Sequence, residues 1–254
     1  MKISILGPLE LSEDGVKFRV PGEKLRALVA ALALCAGRPA TKEQLIDELW
    51  PDSPPRNAAN SLQGHVARLR KILGEETGRE SLRDIVQTSD AGYALALAPQ
   101  DIDGLKFCEM VNQVGLRPDM DSLNVIAVLT EALSLWRGPA LIDTGHGRIS
   151  RLAYARLAET KLNAYERLFD AQLALGENRA LITELEQLHQ QHPLRERFCG
   201  QLMTALYQAG RQAEALDLYH QLRQRLAVDL GLEPSQALRD KFHGILQQDP
   251  ALLR

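Results

Sequence analysis

The stretch PPRNAANSLQGHVARLRKILG, residues 54–74, carries four cationic side chains and no acidic one. Within it Leu62, Val66, Leu69 and Leu73 recur at i, i+4, i+7 and i+11. At about 3.6 residues per turn, that spacing gathers them on one narrow helical face. Asn57, Asn60, Gly64, Arg68 and Lys71 fall on the opposite side, with Ser61 and His65 at its edge. A helix with one buried stripe and an Asn/Gly/Arg/Lys outer face has the form that the major groove of DNA admits.

Outward from that helix the sequence assembles a small unit. ISIL (3–6), LEL (9–11) and KFRV (17–20) read as short strands, the last two joined by a turn at Glu13-Asp14-Gly15. Leu25, Leu28, Val29 and Leu32 predict a first helix, ended by Gly37. Thr41 and Gln44 form a capping box that opens a second helix carrying Leu45, Ile46, Leu49 and Trp50, stopped by Pro51. The basic helix follows, capped by Ser53 or Asn57 and ending at Gly74. IVQTSDAGYALAL then reads as two strands around Ser89-Asp90-Ala91-Gly92. Short strands, three helices and a hairpin make a winged helix-turn-helix over residues 1–97.

Pro99 and Asp101-Ile102-Asp103 mark a boundary, beyond which no strand pattern occurs. Gly176 and Gly210 stand 34 residues apart, the tetratricopeptide period. Aligning them pairs Leu168 with Leu202, Leu181 with Ala215, Leu185 with Tyr219 and Leu188 with Leu222, and Pro193 takes the closing-proline position. The expectation for 98–254 is an all-α, tetratricopeptide-like array, and the fold class is mainly α. Such arrays bind proteins along extended surfaces.

Composition narrows the functions. The net charge of −3 argues against nonspecific coating of nucleic acid by the whole chain. Residues 1–96 hold 13 Lys and Arg against 13 Asp and Glu, while the remainder holds 17 against 20. DNA affinity must therefore come from a focused patch. Cys35, Cys108 and Cys199 have neither disulfide nor metal spacing and read as buried thiols in a reducing compartment. His189 and His192 lack a third ligand and read as a solvated face, so no metal or cofactor is expected. No long apolar run or charged leader is present, which predicts a cytoplasmic protein without a membrane partner. No GxxxxGK[ST], HExxH or GxSxG motif occurs, which argues against an enzyme. A scaffold using its helical array alone is the rival reading, and the acid-free helix speaks against it.

Two blocks carry a family resemblance. ELWPDSPPRNAANSLQGHVARLRKILG with IVQTSDAGYAL resembles the OmpR-type DNA-binding domain. ALSLWRGPAL (132–141), LYQAGRQAEALDLYHQLRQRLAVDLGLEPS (206–235) and ILQQDP (245–250) resemble the bacterial transcriptional activation domain. In this order they are similar to the Streptomyces antibiotic regulatory protein (SARP) family, over nearly the whole chain. With its last residue at Arg254, the chain would be a small member lacking nucleotide-binding and sensor domains. The resemblance implies an activator of a secondary-metabolite gene cluster. It would bind direct repeats on double-stranded DNA side by side with a second copy of itself, and recruit RNA polymerase through the sigma factor. Activator and repressor are not distinguished by the residues themselves.

The same resemblance places base reading at Arg68, for which a solvated surface arginine is the alternative, and groove proximity at Gly64. Asn60 and Asn57 have the chemistry to bond adenine or phosphate, and Asn57 reads equally as a cap. Ser61, His65, Arg70 and Lys71 fit phosphate contacts, although a surface ion pair serves Arg70 as well. Thr88 and Tyr93 match wing positions that touch the DNA backbone. The wing tip Ser89-Asp90-Ala91 lacks the arginine of many relatives, which leaves minor-groove readout to another residue such as Arg83. Trp50 either donates to a phosphate or plugs the core, and Trp136 packs between helices. The loop from Pro51 to Arg56, with Asp52, Ser53 and Arg56, matches one that contacts polymerase.

Overall fold

A computed structural model of the chain describes residues 1–35, 37–176, 178–249 and 252. Ala36 and Pro250, which end an apolar run and the ILQQDP block, lie outside the described residues. The chain divides into two compact units, Met1–Leu116 with Glu131–Leu162, and Arg117–Thr130 with Asn163–Arg254.

The first unit opens with an antiparallel sheet of β1 (Lys2–Ser4), β2 (Glu10–Glu13) and β3 (Val16–Phe18). Ile3 pairs with Leu11 and Leu11 with Phe18, so one apolar row lines the buried side. Asp14 (φ 49°) and Gly15 (φ 83°) make the tight turn with both residues left-handed, as a two-residue hairpin requires. Three helices follow: α1 (Glu23–Leu34), α2 (Lys42–Leu49) and α3 (Ala58–Thr77). The capping box at α2 is complete, with Thr41 and Gln44 bonded reciprocally. A second sheet joins β4 (Ala40–Thr41), β6 (Gly92–Leu95) and β5 (Val86–Thr88), in that spatial order. A side chain on Gly92 would overlap the Ala40 carbonyl, so only glycine lets these strands approach.

The basic helix does not stop at Gly74. It runs to Thr77, and Gly78 ends it in the left-handed conformation (φ 64°). Gly74 is buried inside the helix because the Arg83 side chain lies across it, where a Cβ would collide.

Packing divides the chain elsewhere than the motif boundary at 97/98, because polar groups beyond residue 97 satisfy the segment that joins β1 to β2. Helix α4 (Asp103–Leu116), which α5 (Ser122–Ser134) follows in the chain, begins with Asp103, whose carboxylate accepts from the amides of Ile5 (2.7 Å) and Leu6 (3.2 Å). Arg137 N donates to Leu6 O (2.7 Å) and Leu141 N to Ile5 O (2.9 Å). Leu9 N and the Arg26 guanidinium both bind Asp143. On α2, Glu48 is buried at 2 % exposure and accepts from the Ile149 amide (2.6 Å) and from the Ser150 amide (3.0 Å) and hydroxyl. These two residues open α6 (Arg148–Ala174), so a carboxylate satisfies donors at a helix N-terminus. A side chain on Gly147 would overlap that carboxylate. Trp136 packs edge-on against Phe107 (5.4 Å), with Lys161 Nζ over its ring, as expected of a residue between helices.

The second unit holds helix pairs. The later part of α6 is followed by α7 (Asn178–Gln191), and α8 (Glu196–Gln208) by α9 (Gln212–Leu230), with α10 (Gln236–Leu246) after them. Gly176 and Gly210 share φ 78° at the two inter-helix turns, so the 34-residue period is a structural repeat. Its register holds in the core, where Leu168, Leu202, Leu181, Ala215, Leu185, Tyr219 and Leu222 are buried and Leu188 is half-buried. Phe169 and Phe198 are fully buried, and Tyr219 stacks on Phe242 at 4.1 Å. The fold is mainly α, a winged helix followed by an all-helical domain. Some details differ from expectation. Cys35 is only partly buried, unlike Cys108 and Cys199, and His189 and His192 are half-buried rather than solvated, His189 with Nδ1 enclosed.

Candidate nucleic-acid interface

Helix α3 forms because its apolar stripe meets the core. Leu62 and Leu69 are 0 % exposed, and Val66 and Leu73 are equally enclosed. At the N-terminus, Asn57 Oδ1 accepts from the Asn60 amide (3.4 Å), so Asn57, not Ser53, is the cap. The opposite side stays open. Asn60, Gly64, Arg68 and Lys71 are exposed, and nothing lies within 4 Å of the place where a Gly64 side chain would begin. Arg68 has no ion-pair or hydrogen-bond partner among the described residues. Lys71 reaches only Glu75, at 3.6 Å in an exposed pair that costs little to break. Ser61 and His65 border this face, both partly covered.

Gln63 and Ala67, which the sequence analysis does not name, share the exposed surface, because the same helical spacing places them beside Asn60 and Gly64. Gln87 is likewise exposed on β5.

Burial holds the His65 imidazole below its usual range, and the neighbouring charges of Arg68 and Lys24 add to this. Its ring lies 5.6 Å from that of Trp50, which is half-buried at the end of α2. The Trp50 ring packs on His65 and keeps part of its surface exposed. Beyond it Asp52, Ser53 and Arg56 are exposed on the loop between α2 and α3.

The wing and its surroundings depart from expectation in three places. Arg70 turns away from the open face. Its Nε (3.0 Å) and Nη2 (2.7 Å) donate to the Val86 carbonyl, and Nη2 also donates to Thr88 Oγ1 (2.8 Å). The guanidinium therefore ties α3 to β5, and the fork geometry suits this fixed task better than a phosphate contact. Tyr93 is 5 % exposed, so its ring belongs to the core and does not line the open face. Thr88 is exposed, as are Ser89, Asp90 and Ala91 at the tip. Arg83 does not extend toward a groove: its stem covers Gly74, its Nε is buried without a partner, and Nη1 pairs with Glu80 (3.3 Å).

Among the described residues no group of three His, Cys, Asp or Glu side chains has a metal-binding arrangement, and no helix is long and apolar enough to cross a membrane.

Comparison with known proteins bears on both parts of the chain. The family described as transcriptional regulatory protein, C terminal, matches residues 21–95, and the bacterial transcriptional activator domain matches residues 102–246. The transcriptional regulator RedD of Streptomyces coelicolor is 42 % identical over 99 % of this chain and 72 % of its own length. The regulatory protein DnrI of Streptomyces peucetius is 33 % identical, with 100 % of this chain and 95 % of DnrI covered. The structure of Mycobacterium tuberculosis EmbR in complex with a low affinity phosphopeptide superimposes with a TM-score of 0.90 at 33 % identity. That match covers 98 % of this chain and 65 % of EmbR.

Proposed function

The chain belongs to the Streptomyces antibiotic regulatory protein family of DNA-binding transcriptional regulators, and on that premise we propose that it activates a secondary-metabolite gene cluster by reading direct repeats beside a promoter. The observation that carries the reading is the open face of α3. It is acid-free from residue 54 to 74 and displays an unpaired Arg68 at its centre.

In the major groove Arg68 donates two hydrogen bonds to guanine O6 and N7, and Asn60 matches adenine N6 and N7. Gly64 brings the backbone close without reading a base, and Ala67 offers its methyl to that of thymine. Lys71, Ser61 and His65 hold flanking phosphates, and Asn57 and Thr88 lie where they would extend the same track. The exposed loop bearing Asp52, Ser53 and Arg56 is the surface offered to RNA polymerase and its sigma factor, with Trp50 at its base. Two copies bound head to tail supply the affinity that one modest interface lacks.

The test is binding to the repeats of the protein's own promoter. Arg68→Ala should weaken specific binding by roughly 1–3 kcal/mol, about fivefold to 150-fold, with an unchanged circular dichroism spectrum. An unaltered mobility shift would end the base-reading claim. Repeats about one helical turn apart place both copies on one face of the duplex, so inserting half a turn should abolish cooperativity. Activation is checked by transcription in vitro with purified polymerase, and no rise in transcript would refute it.

A further inference from the structure

We propose that a cavity of about 300 Å³ in the first unit, bounded by the start of α1, the end of α2 and the loop at 145–147, binds a small organic cation, an ammonium or guanidinium on an apolar body. The proposal does not rest on DNA reading, because no residue of α3 or of the wing lines the cavity.

The volume falls at the lower end of the range for pockets that enclose small ligands, about 300–1,000 Å³. The wall is apolar where Ala27, Leu49 and Trp50 meet, and Trp50 keeps part of its surface exposed. Gly145 is left-handed (φ 83°), and a Cβ there would crowd Glu23 Oε1 at 3.3 Å. Glycine therefore lets the loop border the cavity without displacing that carboxylate.

Charge decides the ligand. Three carboxylates line the cavity, those of Glu23, Glu48 and Asp52, against one ammonium, that of Lys24. Glu48 spends its oxygens on three donors at the start of α6, and Lys24 Nζ donates to the Leu49 carbonyl at the end of α2. Arg26, the next cation on α1, is bound to Asp143. Glu23 and Asp52 remain. Both are exposed, and neither side chain has an ion pair or hydrogen bond among the described residues. An anion would meet these carboxylates with the one ammonium already engaged. An uncharged ligand would take them from water without giving a partner, which costs free energy. A cation gains both the carboxylates, as charge-assisted acceptors, and the face of the Trp50 ring. His65 of α3 lies 5.6 Å from that ring, so the ligand would sit one side chain away from the DNA-facing helix.

The probe is benzylamine, titrated into the full chain carrying Trp136→Phe, which leaves Trp50 as its single tryptophan. Phenylalanine suits position 136, because the indole packs on Phe107 and its Nε1 is enclosed without a partner. Should that background fold poorly, calorimetric titration of the unaltered chain gives the same affinities. A saturable change in Trp50 emission is expected with benzylamine and none with benzyl alcohol or benzoate. Glu23→Gln and Asp52→Asn should each weaken binding about fivefold, the scale of one exposed ion pair. Both side chains are exposed, so the fold tolerates either change, and Glu23→Gln should keep wild-type promoter binding. No saturable binding of benzylamine, equal binding of benzyl alcohol or benzoate, or unchanged affinity in either carboxylate variant would overturn the proposal.

Discussion

Removing the Glu48 carboxylate should destabilise the first unit more than any surface change. Glu48 is 2 % exposed and accepts three hydrogen bonds from the start of α6, two from amides and one from the Ser150 hydroxyl. Glu48→Ala leaves those donors facing a cavity. Bonds to a charged acceptor contribute about 1.5–3 kcal/mol each, but the donors at a helix N-terminus recover part of that from water, so a net loss of about 3 kcal/mol is expected. For a protein of this size the midpoint should fall by roughly 6–12 °C. Glu48→Gln should lie between, because an amide offers one acceptor and turns a donor toward the helix. The chain has two tryptophans, Trp50 and Trp136, both in the first unit, so their fluorescence in urea follows that unit specifically. A loss below about 1 kcal/mol for Glu48→Ala would show that the bonds to α6 are not a structural tie.

Other outcomes follow from the interface and the thiols. Arg70→Ala should cost about 1–3 kcal/mol in urea unfolding, and Arg70→Lys nearly as much, because an ammonium lacks the fork that holds Val86 and Thr88; a fully stable Arg70→Lys with weakened DNA binding would return Arg70 to phosphate contact. The lowered affinity of His65 for a proton means that protonation opposes folding, so this residue's contribution to stability is present at neutral pH and lost as pH falls below about 6.5. Phosphates act in the opposite sense, so DNA binding should take up a proton and tighten as pH falls from about 7.5 to 6, a trend that His65→Gln should flatten. Burial pushes the Cys199 thiol up to about 12, so a disulfide reagent at neutral pH should leave Cys199 unmodified until the chain is unfolded.

What was legible in the sequence was local. The capping box at Thr41, the Asp14-Gly15 turn, the α3 stripe and the 34-residue period each depend on neighbours within one or two turns or on a repeated unit. Their geometry follows from backbone preference and helical spacing. What escaped depends on partners distant in the chain. Nothing near Gly74 announces that Arg83 will lie over it and let the helix continue. A basic residue at position 70 looks like its neighbours Arg68 and Lys71, and only the Val86 carbonyl turns it inward. Tyr93 beside Gly92 looks like a wing contact, whereas strand pairing with Ala40 draws it inside. Glu48 and Asp103 look like solvated acids until the amides they serve, about a hundred residues away, are known.

The segment joining β1 to β2 also has a consequence in time. Ile5, Leu6 and Leu9 depend on partners at Asp103, Arg137, Leu141 and Asp143, with separations of up to 134 residues. On a ribosome adding about 5–20 residues per second, that segment waits on the order of ten seconds for them. Throughout that interval its apolar side chains and unsatisfied amides are presented to every other nascent chain. Closing so long a loop late also slows folding in free solution. The yield of active regulator in a cell would then be governed by the speed of translation through residues 100–143 and by chaperone supply, before any promoter is encountered.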